Sequence, residues 1–465
     1  MQERGKFSNK IGFIAAAAGS AVGLGNIWKF PYETGANGGA AFLLIYLLCA
    51  FVICMPIMVA EIAMGRHARL NPYGTFKKLG SRGWGIVGLL GIISGAVILS
   101  FYNVVSGWAF GYFLQIAFGN LLQEADFSAF FTRYIADVGD NLIYSLAFMV
   151  LTAAIVLGGV QKGIERWTKI LMPLLIVIML ILIVYGLTLP HAGQGIEFYL
   201  VPDMGEVTAN TFYMALSQAF FSLSLGMGAL ITYGSYISDK DHIVNSAALV
   251  TITDTVIAFM AGLMIFPLVF SQGIEPGSGP GLVFVSLPGI FEAMGSGVGN
   301  VIGGAFFLLL CFAALTSTVS LLEIPVAFVT DQYKISRKKA VIGLAALIFL
   351  LGLPSMLSQG AVGWLTSFVS YGGHTHDFMT VIIDIFSDIG LPLGGFLISI
   401  FVAYRWHMRN FSEEVSKGNA SFPGSRQEQF VSIMLSYVSP LVIFFMLMVI
   451  VMEKFFEVDV LSYLF

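Results

Sequence analysis

The sequence predicts an all-α polytopic membrane protein of about eleven transmembrane helices, and three observations carry that prediction. Of the 465 residues 57% are apolar, against ~45–50% in soluble domains, and 11% are charged where ~25% is ordinary. Apolar runs of the ~20 residues needed to cross a ~30 Å hydrocarbon core recur along the whole chain. The polar stretches between them, the longest near 120–141, 190–210 and 405–429, are loop-sized, so residues 1–465 read as a single membrane domain. A soluble enzyme with a fully hydrated surface is excluded, and a net charge of -4 gives no reason to expect a nucleic-acid partner.

In chain order the spans fall at 11–35, 40–66, 84–119, 142–158, 165–189, 210–236, 242–270, 299–330, 339–353, 378–406 and 430–455. Span 1, behind a basic head, imitates a signal peptide. Its apolar run continues through a Gly-rich break, Gly19 to Asn26, as far as Phe30-Pro31, so it is read as a retained span. Spans 2 to 5 are continuous. Span 6 is broken like span 1, by Ser222-Leu-Ser-Leu-Gly-Met-Gly228. Residues 281–296, between spans 7 and 8, read as an external hairpin or short helices. Cys49, Cys54 and Cys311 lie within apolar spans and read as packing residues.

Two matched breaks five spans apart point to inverted repeats, about 11–189 and 210–406, with an added span at about 430–455. Backbone polar groups freed at bilayer depth are tolerated only where they line a cavity or bind a ligand, so the breaks predict a site at the midplane. All of the 23 Lys and Arg residues except Lys29, Arg133 and Lys454 fall on one side of the alternating spans, beginning with Arg4, Lys6 and Lys10. By the positive-inside rule the N-terminus is cytoplasmic and the C-terminus outside, in a plasma (inner) membrane.

Several segments carry a resemblance. Gly19-Ser-Ala-Val-Gly-Leu-Gly-Asn-Ile-Trp-Lys-Phe-Pro31, Asn37-Gly-Gly-Ala, Glu61-Ile-Ala-Met-Gly-Arg66, Ser100-Phe-Tyr-Asn with Trp108, Lys162 to Pro173, Ser222 to Gly228 and Ala313-Ala-Leu-Thr-Ser317 together resemble the neurotransmitter:sodium symporter family over nearly the whole length. The resemblance implies a five-plus-five inverted-repeat transporter fold and symport of sodium with an amino acid by alternating access. Half-helix ends suit a zwitterion: N–H groups at Leu24 and Gly25 can donate to its carboxylate, and carbonyls near Ala21, Phe221 and Ser222 can accept from its ammonium. The resemblance adds the Tyr102 hydroxyl as a carboxylate donor. The side-chain subsite is expected from Ile98, Tyr102, Phe221, Ser224, Met227, Ser317 and Leu321.

Two sodium ions are implied, one at Ala21, Asn26, Ser222 and Asp254 and one at Gly19, Val22, Ala313, Thr316 and Ser317, since hard cations take oxygen ligands. Without the resemblance the Ser and Thr of the second set read instead as helix-packing contacts. Outer gating is implied for Lys29 and Asp384 with the aromatic lid Tyr102 and Phe221, an inner latch for Arg4 and Asp331, and unwinding of span 5 for Gly163 and Pro173. Glu61 and Glu323 are expected to serve structural hydrogen bonding. Against the family's bacterial pattern Lys29 stands for an Arg, Asp254 for an Asn ligand and Met227 for a Phe. A carboxylate at 254 offsets cation charge, so no chloride requirement is expected.

A membrane-embedded enzyme would need a nucleophile and base, or a metal, at membrane depth. His67, His191, His242, His374, His376 and His407 all fall in loops or at span ends, and His374-Thr-His376-Asp377 reads as a solvated loop rather than a metal cluster. A channel would need a continuous polar pore instead of an occluded site. With no acid at Gly23 and no counter-charge in the subsite, hydrophobic or aromatic amino acids are the expected substrates, with another small zwitterion as the alternative. The oligomeric state is not legible.

Overall fold

The computed structural model describes residues 5–271, 273, 281–295, 297–456, 458 and 460. Among these, nine helices are long and apolar enough to cross a membrane: Ala40–Ala68, Gly85–Ala117, Val138–Leu157, Val160–Leu187, Ile243–Ser271, Val298–Tyr333, Arg337–Leu357, Phe378–Ser416 and Arg426–Phe456. They are spans 2 to 5 and 7 to 11. Lys10–Ala21 and Gly25–Ala36 make span 1, bent by 50° at its break. Ala209–Ser222 and Ala229–Gly234 make span 6, each half too short to cross alone.

Several helices outrun the apolar stretches that announced them. Span 10, read to 406, is followed without a loop by a further helix, Met408–Ser416, set off by a single positive-φ residue, His407 (φ 72°). The loops also carry structure of their own. Phe127–Ala136, Ala192–Leu200 and Leu282–Ala293 are helical, the first capped by the Asp126 carboxylate, which accepts from the N–H groups of Ser128 and Ala129. Strand β1 (Val369–Tyr371) pairs antiparallel with β2 (His374–His376), where the sequence predicts a solvated loop around His374 to Asp377. Gly372 and Gly373 supply the two positive φ angles, 58° and 70°, that a two-residue hairpin turn requires.

Spans 3 and 8 pack along each other at the centre, with span 1 against span 8 and the long span 7. Small residues allow the close approach: a Cβ on Gly107 of span 3 would stand 2.5 Å from the Ser145 hydroxyl of span 4. Lipid-facing sides of spans 4, 5 and 9 keep exposed Leu, Ile and Val, such as Val150, Ile181 and Leu350. Two buried acids are paired with arginines. Glu323 accepts from the Tyr236 hydroxyl at 2.8 Å and from the Arg337 guanidinium, and Arg66 donates to Glu414 at 2.7 Å.

Candidate functional site

Span 1 leaves its helix at Ala21. Val22 takes extended backbone (φ -71°, ψ 112°), and regular winding resumes at Gly25. Span 6 leaves its helix after Ser222, and its link holds three positive-φ residues, Ser224 (54°), Gly226 (82°) and Gly228 (81°). At Gly226 no side chain fits, since a Cβ would stand 2.1 Å from the Leu391 carbonyl oxygen. Its N–H donates to Glu61 Oε1 at 2.8 Å, so this buried acid satisfies a backbone donor freed by the break. The breaks hold each other: the Ser224 hydroxyl donates to the Ser20 carbonyl at 2.9 Å, and Gln218 Nε2 to the Gly25 carbonyl at 2.7 Å.

Between them lies a small pocket lined by Ser20, Ala21, Gly23, Gly25, Ile98, Tyr102, Phe221, Ser224, Met227, Ser317 and Leu321. Every residue assigned to substrate from the sequence lines it except Leu24 and Ser222. Leu24 still addresses it, its N–H donating to the Tyr102 hydroxyl at 2.7 Å. Ser222 belongs instead to the polar cluster behind the wall. Ser20 and Gly23 were not foreseen as lining residues, because a Ser and a Gly in a Gly-rich break carry no signal of which way they face. No ionisable group but the Tyr102 phenol lines the pocket.

Behind span 1 the predicted ligands of the first cation converge. Asn26, Ser222 and Asp254 are fully buried. Asn26 Nδ2 donates to Asp254 Oδ1 at 2.8 Å and to the Ser222 hydroxyl at 3.0 Å, and that hydroxyl lies 2.9 Å from both carboxylate oxygens. Tyr46 of span 2 completes the cluster by donating to Asp254 Oδ2 at 3.0 Å. Its part was missed, since a Tyr within a span gives no sign of its partner. Asn26 Oδ1 accepts from the Gly23 N–H at 3.0 Å, which leaves its second lone pair for a cation.

The second constellation also assembles. Thr316 donates to the carbonyls of Val22 at 3.2 Å and Ala313 at 2.9 Å, and the Ser317 hydroxyl to Val22 at 3.2 Å and Ser20 at 3.3 Å. Gly19 faces the same place, where a Cβ would come within 3.5 Å of Thr316 Cβ and 3.1 Å of Thr168 Cγ2. Hydroxyl and carbonyl oxygens dominate both clusters, and among the described residues no group of three or more His, Cys, Asp or Glu could hold a metal ion. That donor chemistry fits sodium rather than zinc or copper.

Lys29 meets a different carboxylate from the one expected. Lys29 lies 3.7 Å from Asp388, not paired with Asp384, and its ammonium stands 5.1 Å from the Phe221 ring centre, over the pocket. Asp384 lies one turn earlier on span 10, held by Lys454 of span 11 and by the Tyr371 hydroxyl at 2.6 Å. Burial and this hydrogen bond raise the Tyr371 phenol above its ordinary range, so it remains a donor at neutral pH. Two carboxylates four residues apart were visible in the sequence, but apolar spacing does not say which one faces span 1. Asp388→Asn is therefore expected to cut uptake by about tenfold and Asp384→Asn by less than about threefold, measured as initial rates in liposomes.

On the inner side Asp331 accepts from the Asn71 N–H at 3.0 Å and from its Nδ2 at 3.1 Å, while Arg4, its expected latch partner, lies outside the described residues. Gly163 and Pro173 both sit in helix here, Gly163 in a widened turn, Val160–Glu165, so span 5 is wound through the region expected to unwind. Glu165 of that turn accepts from the Ser8 N–H at 2.8 Å, fastening the N-terminal segment to span 5.

Comparisons agree with this architecture. The family model described as Sodium:neurotransmitter symporter family matches residues 4–125 and 126–465. A sodium-dependent transporter of Bacillus subtilis (strain 168), YhdH, is 39% identical over 417 residues, covering 89% of this chain and 91% of its own. The sodium-dependent serotonin transporter of Drosophila melanogaster is 29% identical over 495 residues, covering 94% of this chain and 75% of its own. The crystal structure of MhsT in complex with L-phenylalanine superposes with a TM-score of 0.86 at 43% identity, covering 96% of this chain and 99% of that one.

Proposed function

The chain belongs to the sodium:neurotransmitter symporter family, and from that premise we propose that it imports hydrophobic and aromatic L-amino acids, from Leu and Ile up to Phe, Tyr and Trp, each with two sodium ions. It is a sodium-coupled, multi-pass membrane transporter of a family of transporters, not enzymes. The observation that carries the substrate reading is the pocket itself. It holds the Leu24 N–H and the Tyr102 hydroxyl, which bond each other and can turn to a carboxylate, but no acid for an amine and no counter-charge for a charged side chain. Burying an unpaired charge there would cost several kcal/mol, so Lys, Arg, Asp, Glu and decarboxylated amines are rejected. Met227 gives one wall a flexible thioether that adapts to side chains of different shape. The MhsT complex with L-phenylalanine supports the same reading.

In this proposal the single domain is two five-span inverted repeats plus span 11, in the plasma (inner) membrane with the N-terminus cytoplasmic. One sodium sits among Ala21, Asn26, Ser222, Asp254 and the substrate carboxylate, the other among Gly19, Val22, Ala313, Thr316 and Ser317. Substrate and ions bind from outside, Phe221 and Tyr102 close over them, the Lys29 and Asp388 pair tightens, and the inner side then opens as span 5 unwinds between Gly163 and Pro173. Asp254 supplies the negative charge, so chloride is not required.

The test is uptake of each standard amino acid by purified protein in liposomes, with sodium or potassium outside. Sodium-dependent accumulation of Leu, Phe or Trp that tryptamine and Lys do not inhibit is expected. Strong inhibition by tryptamine or Lys, with none by large apolar amino acids, overturns the substrate assignment in favour of another solute.

A further inference from the structure

We propose that Lys454, near the end of span 11, is a positioning residue of the outer gate, holding Asp388 so that its free oxygen is presented to Lys29. The inference rests on reading Lys29 and Asp388 as that gate. Asp384 and Asp388 lie on one face of a widened turn, Asp384–Ile389, with side chains only 7% and 14% exposed. Two carboxylates so placed repel each other in a poorly hydrated setting unless a cation lies between them. Lys454 is that cation: its ammonium pairs with Asp384 Oδ1 and, at 2.7 Å, with Asp388 Oδ2. Asp388 is thus divided, Oδ2 to Lys454 and Oδ1 to Lys29 at 3.7 Å.

The support extends outward. The Tyr371 hydroxyl takes the second oxygen of Asp384, and the Tyr371 ring is stacked between His376, at 4.2 Å, and Phe455, at 4.8 Å. Phe455 is the next residue after Lys454, so the β1–β2 hairpin and the end of span 11 grip the pair of acids as one unit from the side opposite span 1. A span outside the paired breaks thereby acquires a part in closure. Removing Lys454 leaves Asp384 and Asp388 in mutual repulsion, which swings Asp388 away from Lys29.

The experiment follows release of bound labelled substrate, using whichever amino acid the wild-type protein binds in sodium, after dilution into unlabelled substrate. Lys454→Met is expected to speed release about tenfold, and Lys454→Arg to stay near wild type. Asp384→Asn added to Lys454→Met removes the repelling charge and is expected to restore release to within about twofold, which a general packing defect would not allow. Tyr371→Phe, outside the spans, is expected to speed release about threefold and carries the test should Lys454→Met not accumulate. Unchanged or slower release in Lys454→Met, or in Tyr371→Phe alone, overturns the proposal. Lys29→Met separates the two readings. Faster release there with none in Lys454→Met defeats the role of Lys454 alone, and unchanged release there defeats the gate itself.

Discussion

Replacing Asp254 with Ser is expected to weaken apparent sodium affinity about a hundredfold in chloride-free buffer and to make uptake depend on chloride, while the wild-type protein transports equally in chloride and gluconate. Three donors already face this carboxylate: Asn26 Nδ2, the Ser222 hydroxyl and the Tyr46 hydroxyl, at 2.8, 2.9 and 3.0 Å. Two sodium ions with a zwitterion would bring two positive charges into this buried region, and a unit charge ~4 Å away is worth up to about 4 kcal/mol at an effective dielectric of ~20. Serine removes the charge and leaves the donors, which together with the vacated volume form a setting for a small anion. Chloride then returns much of the lost attraction. Wild-type uptake that collapses in gluconate, or an Asp254→Ser protein with undiminished sodium affinity and no chloride response, would sink the idea.

The sequence exposed what depends on local pattern. Apolar runs located the spans, and the Gly-rich stretches at Gly19 to Asn26 and Ser222 to Gly228 located both breaks, because an interrupted helix needs glycine or positive φ at places such as Gly226. What stayed hidden depends on which residues meet across the fold. Tyr46 and Gln218 close on the breaks from spans 2 and 6, yet each reads as an ordinary membrane residue until its partner is placed. Which of Asp384 and Asp388 meets Lys29 was not legible, because a widened turn of helix rotates the face they share. Lys454 stood out only as an exception to the one-sided distribution of basic residues, its reach to span 10 being a tertiary fact. The hairpin at 369–376 escaped because three-residue strands are too short to show alternation.

Gly23→Ala is expected to lower substrate affinity by about a hundredfold or more while leaving the thermal midpoint of the sodium-free protein within a few degrees of wild type. A Cβ built at Gly23 would stand 2.3 Å from the Ser317 hydroxyl and 2.6 Å from the Tyr102 hydroxyl, closer than any contact that can persist. Both obstacles are ends of side chains, so the protein can fold by moving them, but those are the groups the site needs. Tyr102 would leave the Leu24 N–H to which it now bonds at 2.7 Å, and Ser317 would leave the Val22 carbonyl at 3.2 Å. The loss therefore falls on the carboxylate end of the substrate and on one sodium constellation together. One hydrogen bond to a charged carboxylate, at ~1.5–3 kcal/mol, together with one lost sodium ligand sets the expected scale. Equilibrium binding of labelled Phe against sodium concentration reads both effects at once: higher substrate Kd with a lower apparent affinity for sodium is expected. A Gly23→Ala protein that binds Phe normally would show that the carboxylate lies elsewhere in the pocket. The same crowding bars a larger acid, so Gly23→Asp is expected to fail to confer amine transport, since an acidic side chain has no space there unless Tyr102 and Ser317 give way.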